Sequence, residues 1–174
     1  MATEIVLVRH GETEWSKDGR HTGHTDVPLT ERGREQAETL GAALKGRSFA
    51  RVLTSPLSRA ADTARLAGFG DAEERVELRE WDYGAYEGRK TSEIREERPD
   101  WTLWTDGVPD GETAAEVAVR VDAVLAGLRT VEGAALVFAH GHLLRVLAAR
   151  WIGLEPEAGR LFGLDPATVS VLGY

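Results

Sequence analysis

The chain of 174 residues is long enough to bury a core and is most simply one domain. Its formal net charge of −8 argues against nonspecific nucleic-acid binding, and the absence of cysteine removes disulfides, thiolate nucleophiles and thiolate metal sites. Every long apolar run is broken by charge before it reaches membrane-spanning length, and "MATE" shows no basic region ahead of an apolar one, so a cytoplasmic protein without a secretory leader is expected.

Ile5 to Val8 is a short aliphatic run closed by Gly11, the pattern of a buried strand. Residues 16–28, "SKDGRHTGHTDVP", read as loop. Thr30 then serves as an N-cap for a helix with Ala37, Leu40, Ala43 and Leu44 on one face, ending before Gly46. Ala50 to Ser55 reads as a second strand, followed by Pro56 at the start of a helix that stops at Gly68. Arg75 to Leu78 is a short strand candidate, and residues 80–112 are irregular apart from a short helix over Thr91 to Glu97. A strongly amphipathic helix follows, with Val117, Val121, Val124 and Leu128 on one side. Ala135 to Ala139 is again a buried strand, His142 to Trp151 a helix, and "TVSVLGY" a last strand. Alternating strands and helices predict an α/β fold, a three-layer α/β/α sandwich around a mostly parallel sheet.

Two of these strands end in the same figure, His10-Gly11 and His140-Gly141. Ligands of open α/β sheets gather beyond the carboxyl ends of strands, and there the chain offers Arg9, His10, Arg59, His140 and His142 beside helix N-termini. Arginine forks bind phosphate oxygens, helix amides add donors, and an imidazole can attack phosphorus. A glycine after each histidine lets backbone and ligand approach closely. Arg59 falls in the first turn of its helix, where a cation opposes the helix dipole; either another use or a salt bridge with Asp62 would explain it. An acid for the leaving oxygen is still needed, and spacing alone leaves Glu12, Glu77, Glu80, Glu87 and Glu112 open. Singly, each residue has a plainer reading: a satisfied strand-end histidine, an ion-paired arginine, a solvated carboxylate, or loop and positioning roles for His21, His24 and His142. No helical His-x-x-x-His pair or carboxylate set completes a zinc site around His140-x-His142, so no metal and no cofactor is expected.

"LVRHGETEWS", "TSPLSRAADTA", "LREWDYGAYEG" and "VFAHGHLLR", in this order over nearly the whole chain, resemble the histidine phosphatase superfamily in its phosphoglycerate mutase-like branch. The resemblance implies one domain over 1–174 with a cap-like insertion at about 81–112, its tryptophans mostly packing. It implies phosphomonoester hydrolysis through a phosphohistidine on His10, with Arg9, Arg59 and His140 holding the phosphoryl group and Glu80 as general acid. The branch that places an aspartate after the second histidine is not matched, because Gly141 stands there. Ser16, where the family often has asparagine, with Thr22, Gly23 and Gly141, falls where relatives meet substrate. Mutases carry a longer insertion with paired arginines near the position where this chain reads "WTLWTDG". Lacking that pair, the chain is expected to be a phosphatase similar to sedoheptulose bisphosphatase, acting on small sugar phosphates or bisphosphates. A cofactor-dependent mutase is the alternative, and a binding module without catalysis a weaker one. A phosphorylated small molecule is the expected partner, with a homodimer as the self-association allowed for and neither nucleic acid nor membrane. The chain ends at Tyr174 in a predicted strand, where members of the family usually continue.

Overall fold

A computed structural model describes residues 2–173 of the chain. A five-stranded sheet is built from β1 (Ala2–Arg9), β2 (Arg51–Thr54), β3 (Glu73–Glu74), β4 (Gly133–Ala139) and β5 (Val169–Gly173), in the spatial order β3-β2-β4-β1-β5. All pairings are parallel except β1 with β5, which is antiparallel. The central strands are buried on both faces, which is why they read as continuous apolar runs. In β1, Ile5 and Leu7 enter one core cluster and Val6 and Val8 the other. β4 divides in the same way, Ala135, Val137 and Ala139 against Leu136 and Phe138.

The helices α1 (Glu14–Asp18), α2 (Glu31–Leu44), α3 (Ser58–Leu66), α4 (Thr91–Glu97), α5 (Leu103–Asp106), α6 (Ala114–Leu128) and α7 (Gly141–Trp151) complete the layers. Leu40 and Leu44 of α2 and Ala64 of α3 cover the face carrying Val6 and Phe138. Val117, Val121 and Leu128 of α6, with Leu143 and Val146 of α7, cover the face carrying Ile5 and Val137. Trp81, Tyr83, Ile94, Trp101 and Leu103 join this second cluster, so residues 81–112 pack into the main core. Thr30 caps α2 as expected, its hydroxyl accepting from the Gly33 amide. No helix among the described residues is long and apolar enough to cross a membrane.

Three local expectations need correction. Residues 76–78 form a 3-10 turn, not a strand; the neighbouring two-residue β3 pairs with Leu53 and Thr54. A four-residue alternation cannot separate these outcomes, and the backbone turns as the Leu78 amide bonds to the Arg75 carbonyl. The stretch read as loop from residue 16 begins inside α1, which a Thr13–Ser16 capping box starts and Gly19, at φ 75°, ends. α5 and a 3-10 segment, Pro156–Leu161, carried no periodic signal. Of the last predicted strand, Tyr174 lies outside the described residues.

Candidate active site

Strand register assembles the centre. β1 and β4 run parallel with Arg9 opposite Ala139, so the next residue of each strand is a histidine, and the His10 amide donates to the Ala139 carbonyl at 3.0 Å. The two rings lie 5.2 Å apart between centroids. β2 pairs Thr54 with Phe138, which carries Ser55 to the same edge. Ala167, held in the left-handed region at φ 56°, gives its amide to the carbonyls of Arg9 and His10 and pins the end of β1.

Each histidine has a fixed tautomer. His10 is only 4% exposed, and its Nδ1 donates to the Gly11 carbonyl at 2.7 Å, leaving Nε2 as a lone pair facing the pocket. Burial, reinforced by the guanidinium groups of Arg59 and Arg9, holds its pKa well below the ordinary histidine value, so the ring is neutral. His140 is fully buried, and burial together with Arg59 pushes its pKa well down too. Arg59 Nε donates to His140 Nδ1 at 3.2 Å, so the ring hydrogen sits on Nε2 and is given to Ser55 Oγ at 2.8 Å.

The arginines differ in role. Arg59 is fully buried; it donates to the carbonyls of Thr25, Thr22 and Gly23 at 3.0, 3.2 and 2.8 Å as well as to His140. Asp62, offered above as its partner, pairs with Arg65 instead. Arg9 lines the pocket and donates from Nη1 to the Leu164 carbonyl, while its buried Nε has no acceptor among the described residues. Burial lowers the pKa of both arginines, and the nearby Glu80 charge opposes that.

Of the five candidate acids, Glu80 alone lines the pocket. Glu12 accepts from Thr30, Glu77 from Arg75, Glu87 from the Gly23 and Thr25 amides, and Glu112 from Arg120. α7 starts at His140 without a side-chain cap, and Glu80 supplies one from a distant segment. Its Oε1 accepts from the Trp81 and Leu143 amides at 2.9 and 2.8 Å, and its Oε2 from the His142 amide at 3.0 Å. A carboxylate oxygen accommodates about two donors, so Oε2 keeps a site open for a proton. Arg120 of α6 fixes this segment by donating to the carbonyls of Glu77, Arg79 and Glu80 while paired with Glu112. Nothing in the sequence pattern marks Arg120 for that task.

The pocket encloses about 260 Å3. Ser16, Thr22 and Gly141 line it. The Ser16 hydroxyl is engaged with Thr13, and that of Thr22 donates to the Arg20 carbonyl. Gly23 lies behind the wall, where a Cβ would meet the Trp81 carbonyl at 2.6 Å. The glycines after the histidines serve backbone packing: a Cβ on Gly11 would come to 2.4 Å from the Gly33 carbonyl oxygen, and one on Gly141 to 3.2 Å from Arg9 Cζ. Among protein neighbours their close approach is to α2 and to Arg9, and Gly141 also lines the pocket. His24 lies at the surface, 3.8 Å from Asp82. His21 and His142 line the pocket with Tyr83, Thr91, Arg20 and Arg145. Tyr83 Oη and His142 Nδ1 share a hydrogen bond at 2.6 Å; burial raises the phenol pKa and lowers that of His142. Burial also lowers His21, to about 4. His140-x-His142 was the available signal for His142, but only the fold brings Tyr83 and His21 to it.

The model of the histidine phosphatase superfamily (branch 1) matches residues 5–174. An acid phosphatase of Mycobacterium tuberculosis is 43% identical, over 98% of this chain and 86% of its own length. A sedoheptulose 1,7-bisphosphatase of Saccharomyces cerevisiae is 39% identical over 88% and 69%, and a probable phosphoglycerate mutase of an Enterobacter species 34% over 98% and 85%. The solved structure of a Mycobacterium tuberculosis open reading frame superposes with a TM-score of 0.94 at 43% identity, covering 98% of this chain and 91% of that one. With two strand ends that deliver paired histidines and a family match over nearly every residue, the chain belongs to the histidine phosphatase superfamily, branch 1.

Proposed function

We propose that the protein hydrolyses phosphomonoesters of small sugar phosphates or bisphosphates in two steps through phospho-His10. The observation that carries this reading is a neutral His10 whose Nε2 has no hydrogen-bond partner among the described residues, lining one pocket with the Arg9 guanidinium. A phosphoryl group bound in this pocket meets the Arg9 guanidinium and puts phosphorus before the nucleophile.

In the first step His10 Nε2 forms a bond to phosphorus as the ester P–O bond breaks, with Glu80 Oε2 as the general acid that protonates the leaving alcohol. In the second, Glu80 takes a proton from water, the water oxygen bonds to phosphorus, and the P–N bond breaks to restore neutral His10 and release phosphate. The Gly11 carbonyl keeps Nδ1 protonated through both steps. Arg9, Arg59 and His140 serve the transferring oxygens, which requires Arg59 to exchange a loop carbonyl, and His140 to exchange Ser55 Oγ, for phosphate. The acid phosphatase and bisphosphatase relatives favour hydrolysis, and the mutase relative supports phosphoglycerate isomerisation as the second reading.

The remaining expectations belong with this reading: Ser16, Thr22, Gly23 and Gly141 as the substrate rim or its support, one domain over 1–174 with 81–112 as a cap, a cytoplasmic setting and homodimeric self-association. Tyr83 and Thr91, which reach the pocket from 81–112, support the cap. The test measures inorganic phosphate released from sugar mono- and bisphosphates and 3-phosphoglycerate in EDTA, with 2-phosphoglycerate followed in parallel. Release that survives chelation and collapses in His10→Ala is expected. Isomerised phosphoglycerate with little free phosphate would establish the mutase instead.

A further inference from the structure

The pocket wall away from His10 carries a cation that the phosphoryl chemistry does not use. Arg145 lies on α7 five residues beyond His140, about 7.5 Å further along the helix axis, on the same helical face as His142. Its guanidinium is fixed by the segment 156–161: Nε donates to the Gly159 carbonyl at 2.9 Å and Nη2 to the Arg160 carbonyl at 3.3 Å. Its Cζ lies over the Trp104 ring, 4.8 Å from the centroid, and that ring packs edge-on against Trp81. Gly159 makes this possible, since a Cβ there would meet Trp104 at 2.6 Å.

Those two bonds leave the hydrogens of Nη1 and one hydrogen of Nη2 without a protein acceptor among the described residues. Arg20, by contrast, is paired with Asp18. Arg145 forms no ion pair among the described residues, although it is half-buried in the pocket wall and burial lowers its pKa. A half-buried guanidinium fixed by two carbonyls, with its unused donors open to the pocket and no carboxylate partner, is placed to receive an anion. The anion for the phosphoryl site is already matched by Arg9. In a molecule of net charge −8, a second unpaired arginine in the same 260 Å3 pocket calls for a second negative group on the same substrate.

We infer that Arg145, lying over Trp104, forms a subsite for a second anionic group, so that the preferred substrates are compact bis-anionic phosphoesters. This rests on the phosphomonoesterase reading and narrows its substrate class. The cation comes from α7 and Trp104 carries it, although the stretch around Trp104 supplies no arginine of its own.

The test is equilibrium binding by calorimetry in a His10→Ala background, where no phosphoryl transfer interferes. The probes are fructose 1,6-bisphosphate against fructose 1-phosphate and fructose 6-phosphate. The bisphosphate is expected to bind more tightly than either monophosphate. Adding Arg145→Gln should weaken the bisphosphate about 10- to 100-fold and each monophosphate less than about threefold, with Arg145→Lys recovering part of the loss. Equal weakening of all three sugars, no weakening, or no initial preference for the bisphosphate would overturn the inference. Unchanged melting of the variants separates lost binding from lost packing. With His10 intact, failure to release phosphate from any ester would overturn the hydrolase reading instead, and the binding comparison would keep its meaning.

Discussion

Glu80 is the sharpest place to strike the mechanism, because one carboxylate both caps α7 and stands as the proposed acid. Glu80→Gln keeps the shape and removes the transferable proton. The amide oxygen can take the Oε1 position and keep the Trp81 and Leu143 amides, but the new NH2 group then faces the His142 amide, donor against donor. One unsatisfied buried donor costs about 1–3 kcal/mol, or for a chain of this length about 2–4 °C of melting temperature per kcal/mol. Loss of general acid–base catalysis costs about 100- to 10,000-fold in rate. The assay compares phosphate release from a sugar phosphate and from p-nitrophenyl phosphate, whose leaving group needs no proton. The variant should form the phosphoenzyme from the aryl ester almost normally and then hydrolyse it slowly, giving a burst of nitrophenolate, whereas the sugar ester should fail at the first step. A folded variant that turns over the sugar phosphate within about tenfold of the unaltered protein would refute the assignment and leave Glu80 as a helix cap alone.

Thr63 lies beneath the His10–Gly11 turn: the Gly11 amide donates to its hydroxyl at 3.0 Å, and the hydroxyl donates to the Arg59 carbonyl at 2.6 Å. Thr63→Val leaves that buried amide unpaired and should cost about 2 kcal/mol, about 4–8 °C in melting temperature; a melting point unchanged to within a degree would show that the bond contributes nothing. Because burial and two guanidiniums keep His10 neutral in the free protein, kcat/KM, corrected for ionisation of the substrate phosphate, should show no further one-proton loss as pH falls through 6.5, and such a loss would contradict the assignment of the nucleophile. Stability should behave oppositely. Unfolding exposes His10, His140, His142 and His21, which then bind protons near 6.5 while the folded rings stay neutral, so stability is complete above that pH and falls as acid is added. Melting curves between pH 7 and 4.5 should show the decline, shallower in His142→Gln.

The legible part of the site was its strand ends. A strand buried on both faces must be continuously apolar, so the polar residues after Val8 and Ala139 stand out, and parallel register turns that local signal into a contact between His10 and His140. Thr30 was legible for a related reason, since its hydroxyl caps a neighbour three residues away. What could not be read depends on segments far apart in sequence. Glu80 was one of five equivalent carboxylates until α7 presented uncapped amides to it, and Arg120 gains meaning only because α6 crosses the carbonyls of residues 77–80. Tyr83 and Trp104 look like packing aromatics because they do pack; their second faces meet His142. The close approach expected at Gly11 is there, and its protein neighbour is Gly33 on the first turn of α2, a contact that only the fold brings about.

Charge is divided between two residue types. The cations of the pocket are arginines, which stay charged even when burial lowers their pKa, and its buried imidazoles are held neutral. The two choices depend on each other: the guanidiniums of Arg59 and Arg9 help suppress protonation of His10, and that suppression leaves Nε2 nucleophilic instead of adding another positive charge. Were the imidazoles to carry the positive charge, acidity would strengthen anion capture and disable attack at once. With arginine supplying permanent charge, capture and attack have separate pH dependences. A net charge of −8 then does not prevent phosphate binding, because the attraction is confined to a pocket lined by the guanidiniums of Arg9 and Arg145.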